Sequence, residues 1–128
     1  MCIRDSKYTK DFSNRVMFSS DAAYEKGWVW AVRTLEEEPQ IIGFSCVRHK
    51  VREPVTMLYF IGVHEDYRGS GVGEALLEHI MRTGPHSRME LNVMRANERA
   101  VKFYRRLGFW IVGPALLDQA HRMRKDWA

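Results

Sequence analysis

The stretch Tyr67-Arg68-Gly69-Ser70-Gly71-Val72-Gly73 decides how this chain folds. It follows an apolar, strand-like run at residues 57–63 and leads into a helical pattern at residues 74–81. Glycines at alternate positions let other groups come close to the backbone. The amides of this turn and of the first helical turn are unpaired at the positive end of a helix dipole, which favours an anion. The stretch therefore predicts a strand, a tight turn and a helix, with a phosphate site at the turn.

Strand and helix patterns alternate on both sides of this unit. The predicted strands, rich in β-branched and aromatic residues, are residues 27–35, 40–50, 55–63, 89–95, 109–112 and 120–127. A helix lies between the third and fourth of these strands, so the two should be parallel. A second helix begins at its cap Asn97 and ends at Gly108. This order predicts a mixed α/β fold with a βαβ unit at its centre.

The N-terminal segment has a different pattern. Tyr8, Phe12 and Val16 have the i, i+4 spacing of one helix face. We therefore expect a short helical segment at about residues 6–26, before the first clear strand. Residues 1–6 fit either a short first strand or a segment foreign to the fold.

Length and composition limit the class of protein. With 128 residues and 45% hydrophobic content, we expect one domain, residues 1–128. The chain has neither an apolar run of membrane-spanning length nor an N-terminal signal pattern, so we expect a cytoplasmic protein with no membrane partner. Cys2 and Cys46 lie far apart, which fits a reducing compartment. The five histidines lack paired ligand spacing, so no metal is expected.

The net charge of +4 raises the question of a nucleic-acid partner. Much of the basic excess lies late in the chain, at Arg95, Arg99, Lys102, Arg105, Arg106, Arg122, Arg124 and Lys125. These residues alternate with core residues at helix and strand spacing, and they form no dense patch with stacked aromatic residues. The pattern therefore argues against nucleic acid and favours a polyphosphate ligand or solvated faces.

Two motifs occur in order along the chain. The first is Arg68-Gly69-Ser70-Gly71-Val72-Gly73, and the second is Asn97-x-x-Ala100-x-x-Phe103-Tyr104-x-x-Leu107-Gly108-Phe109. Together they closely resemble the GNAT family of acetyl-CoA-dependent N-acetyltransferases. The first resembles that family's Arg/Gln-x-x-Gly-x-Gly/Ala acetyl-CoA motif, and the second its second conserved helix with the strand that follows. The resemblance is specific over residues 56–112 and is weak over residues 1–26.

Two commoner nucleotide-binding loops do not fit the glycine turn. A Walker loop requires Gly-Lys-Ser/Thr after the turn, and this chain has none there. A dinucleotide fingerprint requires a last glycine where Glu74 stands. These two loops are therefore excluded, and the resemblance, through the helix from Asn97 to Gly108, implies coenzyme A at the turn.

The resemblance also implies an architecture. It implies a central twisted sheet of about six to seven strands, with helices on both faces and two parallel strands that splay apart. Acetyl-CoA, with no metal, would lie between the strand that ends at Val63 and the strand that ends near Arg95. Gly62 is either the bulge that starts the splay or a simple packing glycine.

The resemblance implies a set of cofactor-binding residues. The pantetheine arm would pair with the backbone of Ile61, Gly62 and Val63 as an added strand. The pyrophosphate would lie on the amides of Arg68, Gly69, Ser70, Gly71, Val72 and Gly73. Asn97 has two compatible roles, as the helix cap and as a donor to the pantetheine chain. Lys102, Arg105 and Arg106 either meet the 3′-phosphate or form a solvated face.

The reaction implied is direct attack by a primary amine on the thioester, through a tetrahedral intermediate. Tyr104 occupies the position of the family's general acid, which protonates the departing thiolate, and by the same resemblance it is also one of the cofactor-binding residues. An amine must be neutral to attack, which requires a proton acceptor, directly or through water. Residues 56–63 contain no carboxylate. Glu90 or Tyr59 is therefore the candidate base.

The acceptor amine is not specified by these motifs, and a small molecule or a peptide fits equally. Trp28, Trp30 and residues 8–24 would border its pocket, by resemblance. Only about 26 residues precede the first clear strand, so the acceptor site is either open or completed by a second subunit in a homodimer. The alternative to an N-acetyltransferase is a non-catalytic acyl-CoA-binding or regulatory module.

Overall fold

The computed structural model describes residues 16–19, 28–34, 37–38 and 40–127. These residues form one seven-stranded sheet with two helices. The strands are β1 (Val16–Ser19), β2 (Trp28–Arg33), β3 (Ile41–His49), β4 (Thr56–Val63), β5 (Arg88–Met94), β6 (Trp110–Ala115) and β7 (Ala120–Asp126). The helices are α1 (Val72–Thr83), between β4 and β5, and α2 (Glu98–Arg106), between β5 and β6. The sheet order β1-β2-β3-β4-β5-β7-β6 confirms the mixed α/β fold with a central βαβ unit.

The two parallel strands at the centre separate along their length. β4 and β5 pair only at Thr56 with Met89, Met57 with Glu90 and Leu58 with Leu91. β4 continues to Val63 and β5 to Met94, and over these residues each strand keeps its outer neighbour, β3 or β7. The predicted splay is therefore present, and it opens toward the end of β4 that leads into the glycine turn.

Both described helices lie on one side of the sheet, which we call the helical face. The Cβ position of Gly43 on β3 points at Val72 of α1, 3.0 Å from its Cγ1 atom. Lys125 on β7 donates from Nζ to the carbonyl of Leu107, at the end of α2, over 2.6 Å. The core lies between this face and the helices, where Leu76, Leu77, Met89, Leu91 and Met123 are at most 1% exposed.

The other side of the sheet, which we call the open face, carries side chains that range from mostly buried to about half exposed. Phe44 on β3 and Phe60 on β4 project from it, and so do Glu90, Arg124 and Trp110, which are aligned across β5, β7 and β6. The sequence predicts helices on both faces, but the described residues place a helix only on the helical face.

The N-terminal prediction is wrong where the structure tests it. Val16 belongs to β1, which pairs antiparallel with β2, and not to a helix. The rest of the helical segment expected at residues 6–26 lies outside the described residues. The i, i+4 spacing of a few apolar residues is compatible with a strand as well, and pairing with β2 decides between them. No described helix is long and apolar enough to cross a membrane.

Candidate active site

The glycine turn is ordered by its own hydrogen bonds. A short 3-10 turn, Glu65–Tyr67, follows β4, and the Nδ1 atom of His64 accepts from the amide of Asp66 over 3.1 Å. The carbonyl of Tyr67 accepts from the amide and the hydroxyl of Ser70. Gly71 is the N-cap of α1 and makes no side-chain capping bond. The first amides of α1 are therefore left for an anion, as the sequence predicts.

The three glycines of the turn have two different functions. Gly69 and Gly71 adopt φ values of 79° and 93°, which L side chains rarely take. Among the described residues, apart from the two chain neighbours, no atom lies within 4 Å of where a Cβ atom would stand. The space over these two residues is open and can hold a phosphate group. Gly73 instead faces the core, where its Cβ position lies 3.2 Å from Cζ of Phe103 and 3.5 Å from Cγ2 of Val63. Gly73 thus lets the start of α1 lie close to Phe103 of α2.

The other predicted turn residues lie around this space. Arg68 is exposed, and its Nε atom donates to the carbonyl of Val63 over 3.4 Å. The Val72 side chain is 1% exposed and packs in the core, so only its amide can serve a ligand. Ile61 and Val63 pack partly against the core from β4. The turn and the splayed part of β4 are therefore continuous, which fits an extended ligand with a phosphate group at one end.

The bulge that starts the splay lies at Tyr59, so the prediction of a bulge at Gly62 is wrong. Phe60 pairs with Cys46 and Leu58 with Val47, which leaves Tyr59 as the extra residue on β4. Gly62 pairs regularly with Phe44. A Cβ atom on Gly62 would lie 2.9 Å from Cε1 of Phe60, so glycine is needed for packing, which was the alternative interpretation.

Helix α2 begins at the predicted cap. The Oδ1 atom of Asn97 accepts from the amide of Ala100 over 3.1 Å, which confirms Asn97 as the N-cap. Asn97 is itself exposed at the end of β5 that borders the splay. Its amide nitrogen is not used by this bond and remains available to donate.

Tyr104 lies on the inner side of α2 and is 8% exposed. Its ring packs edge-on to Phe103 at a centroid distance of 5.2 Å and to Phe109 at 5.5 Å. Burial raises the pKa of Tyr104 to about 12, because a phenolate would lose its hydration. The hydroxyl therefore stays protonated at neutral pH, as a hydrogen-bond donor and an acid must.

The two candidate bases have different surroundings. On the open face the Oε2 atom of Glu90 accepts from Nε of Arg124 over 2.9 Å and lies 2.8 Å from its Nη2 atom. Both side chains are mostly buried, with 16% of Glu90 and 27% of Arg124 exposed. Tyr59, at the bulge, is 59% exposed. Glu90 and Tyr104 thus lie on opposite faces of the sheet, and Glu90 lies opposite Met57, in the part of β5 that is still paired with β4.

Arg106 and Trp30 are two further residues that the sequence analysis assigned to the site. The guanidinium of Arg106 lies 5.8 Å from the centroid of the Phe103 ring, whose tip reaches Gly73, so this arginine is close to the start of α1. Trp30 packs edge-on to His79 of α1 at 4.9 Å, on the helical face, and its position beside the acceptor pocket stays a prediction. The Trp28 side chain lies outside the described part of the chain.

A cavity of about 470 Å³ lies away from this site. It is lined by Glu78, Met81, Arg82, Gly84, His86, Lys125 and Trp127, at the end of α1 opposite to the glycine turn. A twelve-residue helix, about 18 Å long, separates the two places. Over the residues that the structure describes, no group of three or more His, Cys, Asp and Glu side chains could hold a metal ion.

Comparison with known proteins identifies similar sequences. A model of the Acetyltransferase (GNAT) family matches residues 3–109. The 5-NmdU N-acetyltransferase of Pseudomonas phage PaMx11 is 52% identical over 124 residues, which are 97% of this chain and 86% of that protein. The peptidyl-lysine N-acetyltransferase YjaB of Escherichia coli (strain K12) is 36% identical over 73 residues, 52% of this chain and 48% of that protein.

Solved structures share the fold. Nourseothricin acetyltransferase superposes with a TM-score of 0.66 at 24% identity, covering 79% of this chain and 65% of its own. The PaiA N-acetyltransferase from Thermoplasma acidophilum, in complex with coenzyme A, gives 0.66 at 20% identity, covering 80% and 62%. This chain spans less than two thirds of either structure.

Proposed function

The chain belongs to the GNAT family and is an N-acetyltransferase, and we propose that its acceptor is the amine of a 5-substituted deoxyuridine. The acceptor is suggested by the name of the phage relative, 5-NmdU N-acetyltransferase, which matches 97% of this chain at 52% identity. In ordinary nucleoside abbreviation, dU is deoxyuridine. The acceptor is then a free nucleoside or a nucleoside within DNA, although the arrangement of basic residues in the sequence argued against nucleic acid.

We place acetyl-CoA in the splay, with its phosphates at the glycine turn. The observation that carries this placement is the loss of pairing between β4 and β5 after Leu58, at the end that leads into the turn. The backbone of Ile61, Gly62 and Val63 borders the gap and can accept an extended chain as an added strand. Open space over Gly69 and Gly71 leaves room for the pyrophosphate beside the first amides of α1. Acetyl-CoA supplies the activated acetyl group.

Tyr104 is the proposed acid. Its buried hydroxyl is protonated at neutral pH and can donate to the sulfur as the thiolate leaves. A thiol has an ordinary pKa of about 8.5, well below that of Tyr104, so complete proton transfer would be uphill in water. Desolvation in the same site would also raise the pKa of the thiol, which makes the difference between the two pKa values smaller.

The proton acceptor for the amine is proposed on the open face of the sheet, near the point where the splay begins. Because both Arg124 contacts go to Oε2 of Glu90, the Oε1 atom is the oxygen that would receive a proton, directly or through water. Tyr59 is the alternative, at the bulge where β4 leaves β5. The variants Glu90→Gln and Tyr59→Phe distinguish the two candidate bases. Replacing the true base lowers kcat and shifts the part of the pH–rate profile in which the rate rises with pH.

A homodimer in the cytoplasm is the proposed setting. Two exposed leucines, Leu116 and Leu117, form the turn between β6 and β7, and such side chains are suited to contact a second copy. Cys2 and Cys46 lie far apart in sequence, which fits a reducing compartment. Analytical ultracentrifugation at several concentrations tests the dimer.

The acceptor is tested by measuring coenzyme A release with 5-NmdU, its 5′-monophosphate, and single- and double-stranded DNA that contain it. Deoxyuridine, which lacks the amine, is the control. Turnover with the free forms alone indicates a nucleotide substrate, and turnover with DNA alone indicates modification in the polymer. An absence of turnover with every form would refute this acceptor. If acetyl-CoA at 100 times its Kd then stabilises the fold by about 2.7 kcal/mol and no amine is acetylated, the chain is a binding module.

A further inference from the structure

Two aromatic rings form a flat surface on the open face. Phe44 on β3 and Phe60 on β4 stack with a centroid distance of 5.1 Å and an interplanar angle of 26°. They are 40% and 49% exposed, so each ring keeps much of its surface in contact with water. We call this pair the aromatic shelf. Large apolar rings exposed side by side are a cost in water unless they contact something.

The backbone beneath the shelf is adapted to it. A Cβ atom on Gly62 would lie 2.9 Å from Cε1 and 3.3 Å from Cζ of Phe60, and 3.8 Å from Cε1 of Phe44. Any larger residue at position 62 would displace the Phe60 ring. Gly62 thus lets this ring lie over the strand, near the ring of Phe44.

The shelf lies at the edge of the splay. Phe60 is the residue directly after the Tyr59 bulge, where β4 has stopped pairing with β5. Across the gap, β5 turns the exposed side chains of Asn92 and Met94 to the same open face, because they alternate with the buried Leu91 and Val93. An acceptor that approaches the thioester from the open face therefore passes between the shelf and Asn92.

The chemistry of these groups selects a flat, polar-edged ring. Every base has a π face that can stack on an aromatic side chain. The amide of Asn92 can both donate and accept, as the O4 and N3–H groups of a uracil edge require. A lysine side chain or an aliphatic polyamine has no ring to stack and no such edge.

We propose that the aromatic shelf of Phe44 and Phe60 binds the pyrimidine base of the acceptor and thereby directs the 5-substituent amine into the splay. This inference rests on the proposed function, since it concerns the same acceptor. It makes Phe60 and Phe44 specificity-determining residues. It assigns them no part in the chemical step.

The test compares Phe60→Ala, Phe60→Leu and Phe60→Tyr with the wild-type protein. Trp110→Ala is the matched control, because Trp110 is a similarly exposed aromatic residue, 44%, on the open face of β6, separated from β4 by β5 and β7. Steady-state rates are measured with 5-NmdU and with ethanolamine, an amine without a base. Binding of 2′-deoxyuridine is measured separately by ligand-detected NMR, which needs no turnover.

Stacking on one aromatic residue corresponds to roughly a 5- to 100-fold change in binding. We therefore expect Phe60→Ala and Phe60→Leu to raise KM for 5-NmdU by about that factor, with KM for acetyl-CoA unchanged. Phe60→Tyr should keep the wild-type KM for 5-NmdU, and Trp110→Ala should not change this KM. The rate with ethanolamine should be the same in all variants.

Two results would overturn the inference: an unchanged KM for 5-NmdU in Phe60→Leu, or an equal loss with ethanolamine. If the wild type does not acetylate 5-NmdU, the proposed acceptor fails. The NMR measurement then tests whether the aromatic shelf binds a pyrimidine base, independently of turnover. Binding of 2′-deoxyuridine that is lost in Phe60→Leu and kept in Trp110→Ala supports base recognition, and binding that is absent or insensitive to Phe60 refutes it.

Discussion

The tip of the Phe103 ring lies 3.2 Å from the point that a Cβ atom on Gly73 would occupy. This contact joins the first turn of α1, which offers its amides to a phosphate, to the inner side of α2, which carries Tyr104 next to Phe103. The phosphate site and the proposed acid are thus held in a fixed relation by one close approach of two helices.

Substitutions at Gly73 should separate helix propensity from packing. In Gly73→Ala the ring can move by a few tenths of an ångström, and alanine gains about 1 kcal/mol of helix propensity, so we expect a stability within about 1 kcal/mol of wild type. Gly73→Val should cost about 1–3 kcal/mol through overpacking and weaken acetyl-CoA binding. Urea unfolding and calorimetric titration measure the two effects.

Gly69→Ala is the control for the Gly73 series. In the described part of the chain no non-neighbouring atom opposes a Cβ atom at Gly69, but its φ of 79° strains any L residue. We expect a loss of about 1–2 kcal/mol without displacement of α2. A Gly73→Val protein with wild-type stability and affinity would show that the contact with Phe103 is not needed.

Tyr104→Phe should lower kcat by about 10²–10⁴-fold, because the leaving thiolate loses its proton donor. The ring and its contacts with Phe103 and Phe109 remain, so the Kd for acetyl-CoA should not change. Pre-steady-state measurement of thiol release is the assay. Phe109→Leu, which removes a ring partner and keeps the hydroxyl, is the control, and a comparable loss of kcat there would assign the effect to packing.

The pKa of Tyr104 also predicts how stability depends on pH. Its pKa is about 12 in the folded protein and about 10 in the unfolded chain. The contribution of this pKa difference to the free energy of unfolding is fully present below pH 10. It is lost as the pH rises toward 12, because only the unfolded chain then releases the proton. The loss amounts to about 2–3 kcal/mol. Tyr104→Phe should therefore lose less stability than the wild type between pH 10 and 12 in denaturant titrations.

Substitutions at Asn97 can separate its role as the cap of α2 from its proposed role as a donor to the pantetheine chain. Asn97→Ala should cost about 1 kcal/mol of stability through loss of the cap. Asn97→Asp keeps an oxygen that accepts from the Ala100 amide, so its stability should be close to wild type, while the side-chain donor is lost. A weaker affinity of Asn97→Asp for acetyl-CoA would establish a donor role, and an unchanged affinity would leave Asn97 as a cap alone.

The turn between β6 and β7 contains three consecutive left-handed residues, Leu116, Leu117 and Asp118, with φ values of 51°, 54° and 70°. Arg95 holds this turn by donating to the carbonyl and carboxylate of Asp118, over 2.9 and 2.7 Å. Leu117 is 97% exposed, so little packing within one subunit is lost if it is replaced. Because asparagine tolerates this conformation, Leu117→Asn should raise the stability by about 0.5–1 kcal/mol. Leu117→Ala, which keeps the strain, should show no such gain in thermal unfolding.

Local chemistry allowed several features to be predicted. The cap at Asn97, the helix that follows the glycine turn and the alternation of β5 depend on residues close together in sequence, and the structure has each of them. The helix proposed around Val16 failed because a few apolar residues at i, i+4 spacing do not exclude a strand, and the partner strand β2 lies more than ten residues away.

Register could not be predicted in the same way. The bulge falls at Tyr59 because Cys46 and Val47 on β3 pair with Phe60 and Leu58, and nothing in the residues around Tyr59 indicates it. For the same reason the Glu90–Arg124 ion pair, which joins residues 34 positions apart, had no sequence signal.

The sequence by itself determined the strand–turn–helix junction and predicted an anion site there, because left-handed glycines and unpaired helix amides are properties of a few consecutive residues. Only the tertiary structure decided what surrounds that junction. The contact of Gly73 with Phe103, the splay of β4 from β5 and the stacking of Phe44 on Phe60 each bring together residues that are distant in sequence. Such contacts depend on strand register and helix packing, which satisfy the whole core at once and cannot be deduced from any one segment.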